Sequence, residues 1–351
     1  MDKQETGQFQ DALFRVKKKN GTWRLVDAPN LHGVQIADAH THVHYAQNPA
    51  LAIARAGFNN VSYICNVFDA YEDDFSLVEK LYTWKQEAEM FLASFNAGEC
   101  HGGELCAQGS QTAKEVPAAQ DAPTVESDTV AQIGQSEPCA LHIPQIQFAC
   151  GCHPHNAKYY TPELEQKLRL ILKDARAVAL GEIGLDYHYD FSPVKEQKEV
   201  FAQQLELAQE LDMPVVLHVR EAHDDALEIV QHSGAPAKKI LLHCFTDNWE
   251  TLEPWIDAGC SVSFGGAISF GNADDIRDAA SRVPVQQLML ETDAPYMAPK
   301  PFRGMKCEPA QIIFTAEKML QVRGIEKEEE QREFLESCYQ NVMNFFGAWQ
   351  A

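Results

Sequence analysis

Apolar residues occur along this chain in short runs of four to eight residues, separated by longer stretches in which apolar positions recur every three or four residues. The short runs are rich in Val, Ile and Leu and do not alternate with polar residues, which is typical of strands buried on both faces of a parallel sheet. The longer stretches have the period of amphipathic helices. This alternation of strand and helix predicts an α/β fold with a parallel sheet and outer helices.

The pattern contains eight strand–helix units, which favours closure of the sheet into a TIM (β/α)8-type barrel. The predicted strands cover residues 34–39, 60–67, 146–151, 177–182, 214–219, 239–243, 261–267 and 287–291. The predicted helices cover residues 75–95, 162–174, 193–211, 224–231, 249–258, 274–280, 309–323 and 327–346. The alternative, an open doubly wound sheet, normally carries a glycine-rich phosphate loop after its first strand, and the sequence has none there.

Two segments interrupt this rhythm and divide the chain into an extension, residues 1–33, and a barrel domain, residues 34–348. Within the extension, a weak alternation turns at Asn20-Gly21 and predicts a hairpin that we expect to cover the bottom of the barrel. Residues 96–142 have no apolar period and carry seven acidic residues against one lysine. We interpret them as a long, acidic, flexible low-complexity insertion between the second helix and the third strand.

The chain has ten cysteines with no tight framework, and several lie in or beside predicted strands, where a free thiol packs as a small hydrophobe. This usage fits a reducing cytosol better than secretion, and the polar first six residues show no secretory signal. No stretch approaches the ~20 apolar residues of a membrane span. We therefore predict a cytoplasmic protein with no membrane partner. Five insertion residues are potential zinc ligands, in a spacing that matches no common zinc pattern: Cys100, His101, Cys106, Cys139 and His142.

The formal net charge is −22. A surface this acidic repels polyanions over long distances, which counts against broad electrostatic docking of nucleic acid without excluding a nucleic-acid substrate. A substrate that carries phosphate therefore has to be held locally, by metal ions and a few Arg or Lys side chains.

Five predicted strands end in side chains of the kind that bind metals. These are His40 and His42, Glu182, His218, His243 and Asp293. Placing such groups at the ends of buried strands is costly unless a partner satisfies them, and the carboxyl ends of barrel strands meet on one rim. A shared divalent cation is the simplest partner, and His/carboxylate sites accept Mg, Mn, Zn, Ni or Fe.

The roles of several neighbours stay open at this stage. His44 extends the alternating histidines, although we favour His40 and His42 because they come first after the strand. Glu182, between two glycines, can bridge two metals, act as a base, or be a buried glutamate held by hydrogen bonds. Asp293 can bind a metal and take a proton from water. Asp186 and Glu291 are candidates for supporting groups.

Four further residues are candidates for substrate contacts. His153 and His155 follow the third strand around a proline, where a simple turn is the alternative. Arg220 shares the face of His218 and suits a phosphate or carboxylate, although an ion pair with a neighbour such as Glu221 is equally ordinary. Arg303 lies in the basic stretch 300–306 with Lys300 and Lys306.

Together, six motifs in order resemble the TatD family of metal-dependent hydrolases, within the amidohydrolase-like TIM barrels, over about residues 34–345. They are Asp38-Ala39-His40-Thr41-His42, Gly151-Cys152-His153-Pro154-His155, the stretch 181–187, the stretch 213–220, Leu242-His243-Cys244-Phe245-Thr246 and the stretch 291–296. Gln197 and Gln203-Gln204-Leu205 fit the same pattern. Three features depart from it: the insertion, the extension, and Cys307 where the family commonly has Asn.

The resemblance implies a monomeric barrel holding one to three divalent ions, most commonly magnesium. It implies metal ligands at His40, His42, Glu182, His218, His243 and Asp293. From their positions at strand ends, we predict that Glu182 and Asp293 are the catalytic residues. The resemblance further implies 3′-to-5′ exonuclease cleavage of phosphodiesters at single-stranded or duplex DNA ends, with no stable protein partner. Two alternatives remain: hydrolysis of an amide, lactone or aminoacyl ester on the same barrel, or a non-catalytic barrel that binds a partner.

Overall fold

A computed structural model describes residues 13–99 and 142–347, with side chains for residues 13–93 and 142–347. A two-stranded antiparallel hairpin precedes eight parallel strands. The hairpin strands are β1 (Arg15–Lys17) and β2 (Trp23–Leu25). The parallel strands are β3 (Ile36–Thr41), β4 (Val61–Asp69), β5 (Gln145–Gly151), β6 (Ala177–Asp186), β7 (Val215–Arg220), β8 (Ile240–Leu242), β9 (Ser261–Phe264) and β10 (Leu288–Leu290).

Nine helices pack around or below these strands within the described residues. They are α1 (Pro49–Phe58), α2 (Ser76–Glu99), α3 (Pro162–Ile171), α4 (Val194–Glu210), α5 (His223–Ser233), α6 (Trp249–Ala258), α7 (Asp274–Arg282), α8 (Ile312–Arg323) and α9 (Glu328–Phe346). Local chemistry sets several of their ends: the Asn48, Thr161 and Asn248 side chains accept hydrogen bonds from the first turns of α1, α3 and α6. None of the described helices is both long and apolar enough to cross a membrane.

The eight parallel strands pair in the order in which they occur in the chain, from β3 to β10. The two ends of this sheet meet at a seam, where the backbone N–H of Asp293 donates to the carbonyl of His40 at 2.9 Å and that of His42 donates to Ala294 at 2.7 Å. The predicted TIM-type barrel is therefore confirmed. Because the strands are parallel, all their carboxyl ends lie on one rim.

The core has two layers, one between the sheet and the outer helices and one inside the barrel. The inner layer is built mostly from small and aliphatic residues, and Val342, Met343 and Phe346 of α9 join it. The ring of Phe346 stacks on Tyr63 with centroids 6.0 Å apart, so α9 covers the bottom of the barrel.

Two expectations about local elements are corrected by this arrangement. The hairpin forms, but its neighbour Phe14 packs on Phe302 and Phe314, beside the loop that follows the last strand, whereas the bottom is covered by α9. The short helix α1, absent from the predicted helices, lies between β3 and β4. Its buried side chains are mostly alanines, so its sequence lacks the apolar stripe that marks an amphipathic helix.

Candidate metal centre and substrate cavity

The six predicted ligand side chains converge around Glu182, which lies in the middle of β6. Its Oε1 is 2.7 Å from His218 Nδ1 and 2.7 Å from His243 Nε2. Its Oε2 is 3.4 Å from His40 Nε2 and 3.9 Å from His42 Nε2. The carboxylate thus faces imidazoles from three other strands or strand ends, β3, β7 and β8.

Asp293 completes the cluster from the loop after β10, because its Oδ1 is 3.6 Å from His42 Nε2. Three groups each place their ligand atoms within 4.8 Å of one another, and the first two share His40: His40–Glu182–His243, His40–His42–Asp293 and His153–His155–His218. The first two groups contain five of the six predicted ligands, and the sixth, His218, touches Glu182 directly. The structure therefore brings the whole predicted set to one place.

Each of three histidines has a partner at its second ring nitrogen, through a hydrogen bond for His42 and His218 and through a longer ion-pair contact for His243. His42 Nδ1 is 2.9 Å from the Val67 carbonyl, which fixes the proton on Nδ1 and leaves Nε2 as the electron-pair donor. His218 Nε2 is 3.0 Å from Asp186 Oδ2. His243 Nδ1 is 3.5 Å from Glu291 Oε1. Buried carboxylates that hold a ligand histidine in this way are typical of metal sites.

Asp186 serves a second purpose at the end of β6. Its Oδ1 accepts the backbone N–H groups of His188 and Tyr189 at 2.8 and 3.1 Å, which caps the turn. The Gln197 side chain pairs with the Asp186 backbone on both sides, accepting from its N–H and donating to its carbonyl. Asp186 therefore orients His218, as expected of a supporting group, and also caps the turn after β6.

His40 gives the clearest sign that the centre is built for a cation. Its side chain is fully buried, and neither ring nitrogen has a hydrogen-bond partner among the described residues. Leaving a buried imidazole unpaired costs roughly 1–3 kcal/mol. Its ring stacks on His243 with centroids 3.8 Å apart. A set of imidazole and carboxylate donors around such a ring fits a divalent cation.

His44, which the sequence offers as an alternative metal ligand, forms its contacts outside this cluster. Its Nδ1 is 3.2 Å from Asn66 Oδ1, and its Nε2 is 3.4 Å from Asp73 Oδ2. It belongs to none of the three groups of converging ligand atoms.

The charges of the cluster shift its pKa values in opposite directions. Burial opposes ionisation of Glu182, but His243, His153 and His218 outweigh it and hold the pKa of Glu182 well below its usual value. Burial also opposes the charged form of His243, yet Glu182 and Glu291 raise its pKa well above the usual value. Burial, together with the nearby His243, lowers the pKa of His40. Burial is likewise outweighed at Asp293, where His42 and His243 lower the pKa.

The centre lies at the floor of a cavity of about 710 Å³ on the rim formed by the strand ends. His153, His155, Arg220 and Arg303 all line this cavity, whereas Lys300 and Lys306 are not among its lining residues. His153 Nε2 is 3.6 Å from Glu182 Oε1, so this histidine lies at the centre itself. His155 Nε2 is 2.9 Å from Asp186 Oδ2.

The two cavity arginines contact aromatic rings. Arg220 lies over Tyr189 at 5.1 Å from the ring centroid, and Arg303 lies over Phe270 at 4.3 Å. The ion pairs among the described residues include neither guanidinium, so the ion pair considered for Arg220 is absent there. Stacking orients each arginine without neutralising its charge.

Asp69 is a cavity residue that the sequence reasoning missed. It ends β4 and accepts the backbone N–H groups of Tyr71, Glu72 and His153. Burial raises its pKa to about 6. The rule that singled out the other strand ends applies to Asp69 as well, but the predicted strand stopped two residues short of it.

Cys307, at the position where the resemblance implies an Asn, is buried. Its N–H donates to the Pro295 carbonyl at 3.0 Å, and its Sγ contacts the Glu308 carbonyl at 3.7 Å. Glu308 in turn pairs with Arg55 at 2.8 Å. Of the five potential zinc ligands in the insertion, only His142 lies within the described residues. The remaining four, Cys100, His101, Cys106 and Cys139, lie outside them.

Comparison with known proteins points to one family. The family model for TatD related DNase matches residues 37–347. The chain is 39% identical over 184 residues to the uncharacterized metal-dependent hydrolase YcfH of Escherichia coli, covering 52% of this chain and 69% of that protein. It is 39% identical over 151 residues to the 3′-5′ ssDNA/RNA exonuclease TatD of Yersinia pseudotuberculosis, covering 43% of this chain and 58% of that protein.

The crystal structure of YjjV, a TatD homologue from Escherichia coli, shares the fold. It superposes with a TM-score of 0.67 at 22% identity, covering 90% of this chain and 99% of that one. The converging histidines and carboxylates, the barrel and the family match agree with one another. The chain therefore belongs to the TatD related DNase family of metal-dependent hydrolases.

Proposed function

We propose that this protein is a metal-dependent phosphodiesterase that removes nucleotides from nucleic-acid ends, with the 3′-to-5′ polarity named for its Yersinia relative. The observation that carries the proposal is the Glu182 carboxylate, set between imidazoles of β3, β7 and β8 at the floor of an open cavity. We propose His40, His42, Glu182, His218, His243 and Asp293 as ligands of one to three divalent ions, with magnesium as the first candidate.

The arrangement of Glu182 suits a bridging role between two ions. Oε1 faces His218 and His243, whereas Oε2 faces His40 and His42. When bound, a divalent cation supplies Lewis acidity that polarises a phosphoryl oxygen and lowers the pKa of water. The protein fixes the donors beforehand through Asp186, Glu291 and the Val67 carbonyl, so little reorganisation is required on binding.

Asp293 is the proposed general base. Its low pKa keeps the carboxylate ionised at neutral pH, so Oδ1 can accept a proton from the attacking water. His42 Nε2, at 3.6 Å, holds the carboxylate in place at the edge of the cavity. Glu182 is more deeply surrounded by imidazoles, which suits it to hold charge and not to transfer protons.

Arg220 and Arg303 are proposed to hold the non-bridging oxygens of the substrate. Each is a guanidinium at the cavity wall, oriented by an aromatic ring. Guanidinium groups match phosphate in shape and charge. Two such groups concentrate positive charge locally in a chain whose formal net charge is −22. His153 and His155 complete this wall.

The acidic surface favours a second candidate function, the hydrolysis of a small molecule that carries no phosphate. A small amide, lactone or aminoacyl ester avoids long-range repulsion, and the same cation chemistry serves a carbonyl carbon. This candidate predicts hydrolysis of small neutral substrates and no cleavage of DNA.

The deciding experiment is degradation of a 5′-labelled single-stranded oligonucleotide, with magnesium or manganese and with chelator. We expect stepwise shortening from the 3′ end that chelator abolishes. Glu182→Gln and Asp293→Asn should each lower kcat/KM by at least about a thousand-fold, as expected when groups at the reacting centre are lost. Glu206→Gln, an exposed glutamate on α4, is the matched control and should retain wild-type cleavage. Full activity in both centre variants, or hydrolysis of amides alone, would contradict the proposal.

A further inference from the structure

Exposed aromatic residues are concentrated on the rim formed by the carboxyl ends of the strands. Six of the eight exposed large aromatic side chains among the described residues lie in loops that follow the carboxyl ends of strands: Tyr45, Tyr71, Tyr159, Tyr189, Phe191 and Tyr296. The remaining two, Trp23 and Tyr82, lie in the hairpin and on α2. Exposed rings scattered singly need no explanation, but a concentration on one rim does.

Two pairs of exposed rings stack on this rim, Tyr71 with Tyr159 and Tyr189 with Phe191. Among the described residues, only the second pair also contacts a cavity arginine, and we call Tyr189 and Phe191 the aromatic shelf. Their rings stack with centroids 5.3 Å apart and planes 18° apart. Phe191 is 53% exposed and has no polar atom that a position in water would satisfy. The shelf thus presents stacked, planar apolar surface to solvent directly after β6.

The shelf is connected to the metal centre through one histidine. The ring of His155 meets Phe191 edge-on at 4.8 Å and Tyr189 at 5.5 Å. The same histidine contacts Asp186, the carboxylate that orients His218. A group lying on the shelf is therefore linked to His218, a proposed metal ligand, through two side chains, those of His155 and Asp186.

Arg220 adds a positive charge beside the same rings. Its guanidinium lies 5.1 Å from the Tyr189 centroid and also lines the cavity. A flat apolar surface next to a guanidinium fits a ligand that is planar and aromatic at one point and anionic at the next. A nucleotide within a single strand has this pattern, because each base is followed by a phosphate. Bases inside a duplex have both faces covered by their neighbours and cannot stack on the shelf.

We propose that the aromatic shelf stacks an unpaired base of a single-stranded nucleic acid while Arg220 holds an adjacent phosphate. This inference rests on the proposed function, which it deepens by assigning a base-binding subsite. Stacking is insensitive to base identity because every base has a π-face. The shelf therefore contributes affinity for single strands without selecting their sequence.

The test combines protein variants with abasic oligonucleotides. For a normal oligothymidylate, Phe191→Ala and Tyr189→Ala should each raise KM by about five- to 150-fold with little change in kcat, as expected for a lost base stack. The substrates are a set of oligonucleotides, each with a single abasic site, and the site lies one position further from the 3′ end in each successive member. At one position the abasic site should abolish the difference between Phe191→Ala and wild type, because the ring has no base to contact.

Controls separate stacking from general damage to the fold. Tyr82→Ala removes a ring that is exposed to a similar degree on α2 and should leave KM unchanged. Phe191→Trp keeps an aromatic face and should restore the wild-type KM. An unchanged KM in Phe191→Ala would contradict the proposed role of the shelf in binding a base. So would a rise in KM that is equal on every abasic substrate.

A binding measurement keeps the two proposals distinct. Fluorescence anisotropy with a labelled oligothymidylate, in the Asp293→Asn background with magnesium, reports affinity without cleavage. Weaker binding on addition of Phe191→Ala supports the shelf, and unchanged binding contradicts it. If the wild-type protein cleaves no nucleic acid, the proposed function fails, while the anisotropy result still decides whether the shelf binds bases.

Discussion

Single side chains decide the protonation state of the centre. Glu182 and Glu291 favour the protonated form of His243, and Asp186 and Glu182 do the same for His218, in each case against the effect of burial. The pKa values of both imidazoles are therefore raised in the metal-free protein. A histidine binds metal only when neutral, so protons compete with the cation for these two residues.

We accordingly expect cation binding to weaken as the pH falls and to release protons. Affinity should increase with pH until the raised pKa values of His218 and His243 have been passed, because above them no proton has to be displaced. Titration calorimetry with magnesium or manganese between about pH 6 and about pH 8, in buffers of different ionisation enthalpy, measures both quantities. An affinity that is independent of pH, with no proton release, would contradict this expectation.

At the scale of elements, the close approach of β6 to β7 carries Glu182 toward His218. Gly184 pairs with His218 in the sheet and has a φ of +145°, a backbone conformation that residues other than glycine rarely adopt. A Cβ on Gly184 would collide with the backbone carbonyl of His218. The glycine therefore permits the strand spacing that the centre requires.

Gly184→Ala should separate these strands and displace His218. We expect a loss of about 2 kcal/mol or more of unfolding free energy, in the range for backbone strain at a buried site, and weaker cation binding. Gly271→Ala is the control, because its added Cβ meets only the flexible end of Lys300. Chemical denaturation and calorimetry measure the two effects. Wild-type stability and affinity in Gly184→Ala would show that β7 tolerates the displacement.

The same strands show how far the sequence could be interpreted. The runs before His218 and His243 are continuous aliphatic segments, so their place as buried strands and the position of the ligands at their ends follow from the pattern. In contrast, β6 continues beyond its predicted end at Glu182 to Asp186. Glycine ordinarily weakens a strand, but here residues 183–186 pair with residues 217–220 of β7, a contact between strands that the local sequence does not show.

Other differences have equally physical causes. The alanine-rich helix α1 has little apolar contrast between its faces and escaped detection. The orientation of His42 by the Val67 carbonyl is a contact between separate strands that no local pattern encodes. The position of His153 beside Glu182, and not only in the substrate wall, likewise depends on how the loops fold over the rim.

For the whole molecule, the proposed ligands come from five places in the barrel: the ends of β3, β7 and β8, the middle of β6 and the loop after β10. A cation held by them would link segments that are distant in sequence. Since such a site does not exist in the unfolded chain, binding stabilises the fold by mass action.

Removal of metal should therefore lower the thermal stability of the whole barrel. At a cation concentration 100 times the Kd, the stabilisation is about 2.7 kcal/mol, which corresponds to a Tm change of about 5 °C. Calorimetric melting with added magnesium and with chelator measures this shift. Glu182→Gln should melt at the same temperature in both conditions. If the wild-type protein also does so, the barrel does not bind the cation in its folded state.

The seam between β3 and β10 has a consequence for protein synthesis. His40 and His42 emerge early from the ribosome, whereas Asp293 and the strand that presents it are made only after all the other barrel strands. A growing chain thus carries some of the donors for most of its translation, but never the full set. We therefore expect a nascent chain to acquire its complete set of proposed cation ligands only once the last strand has joined the first.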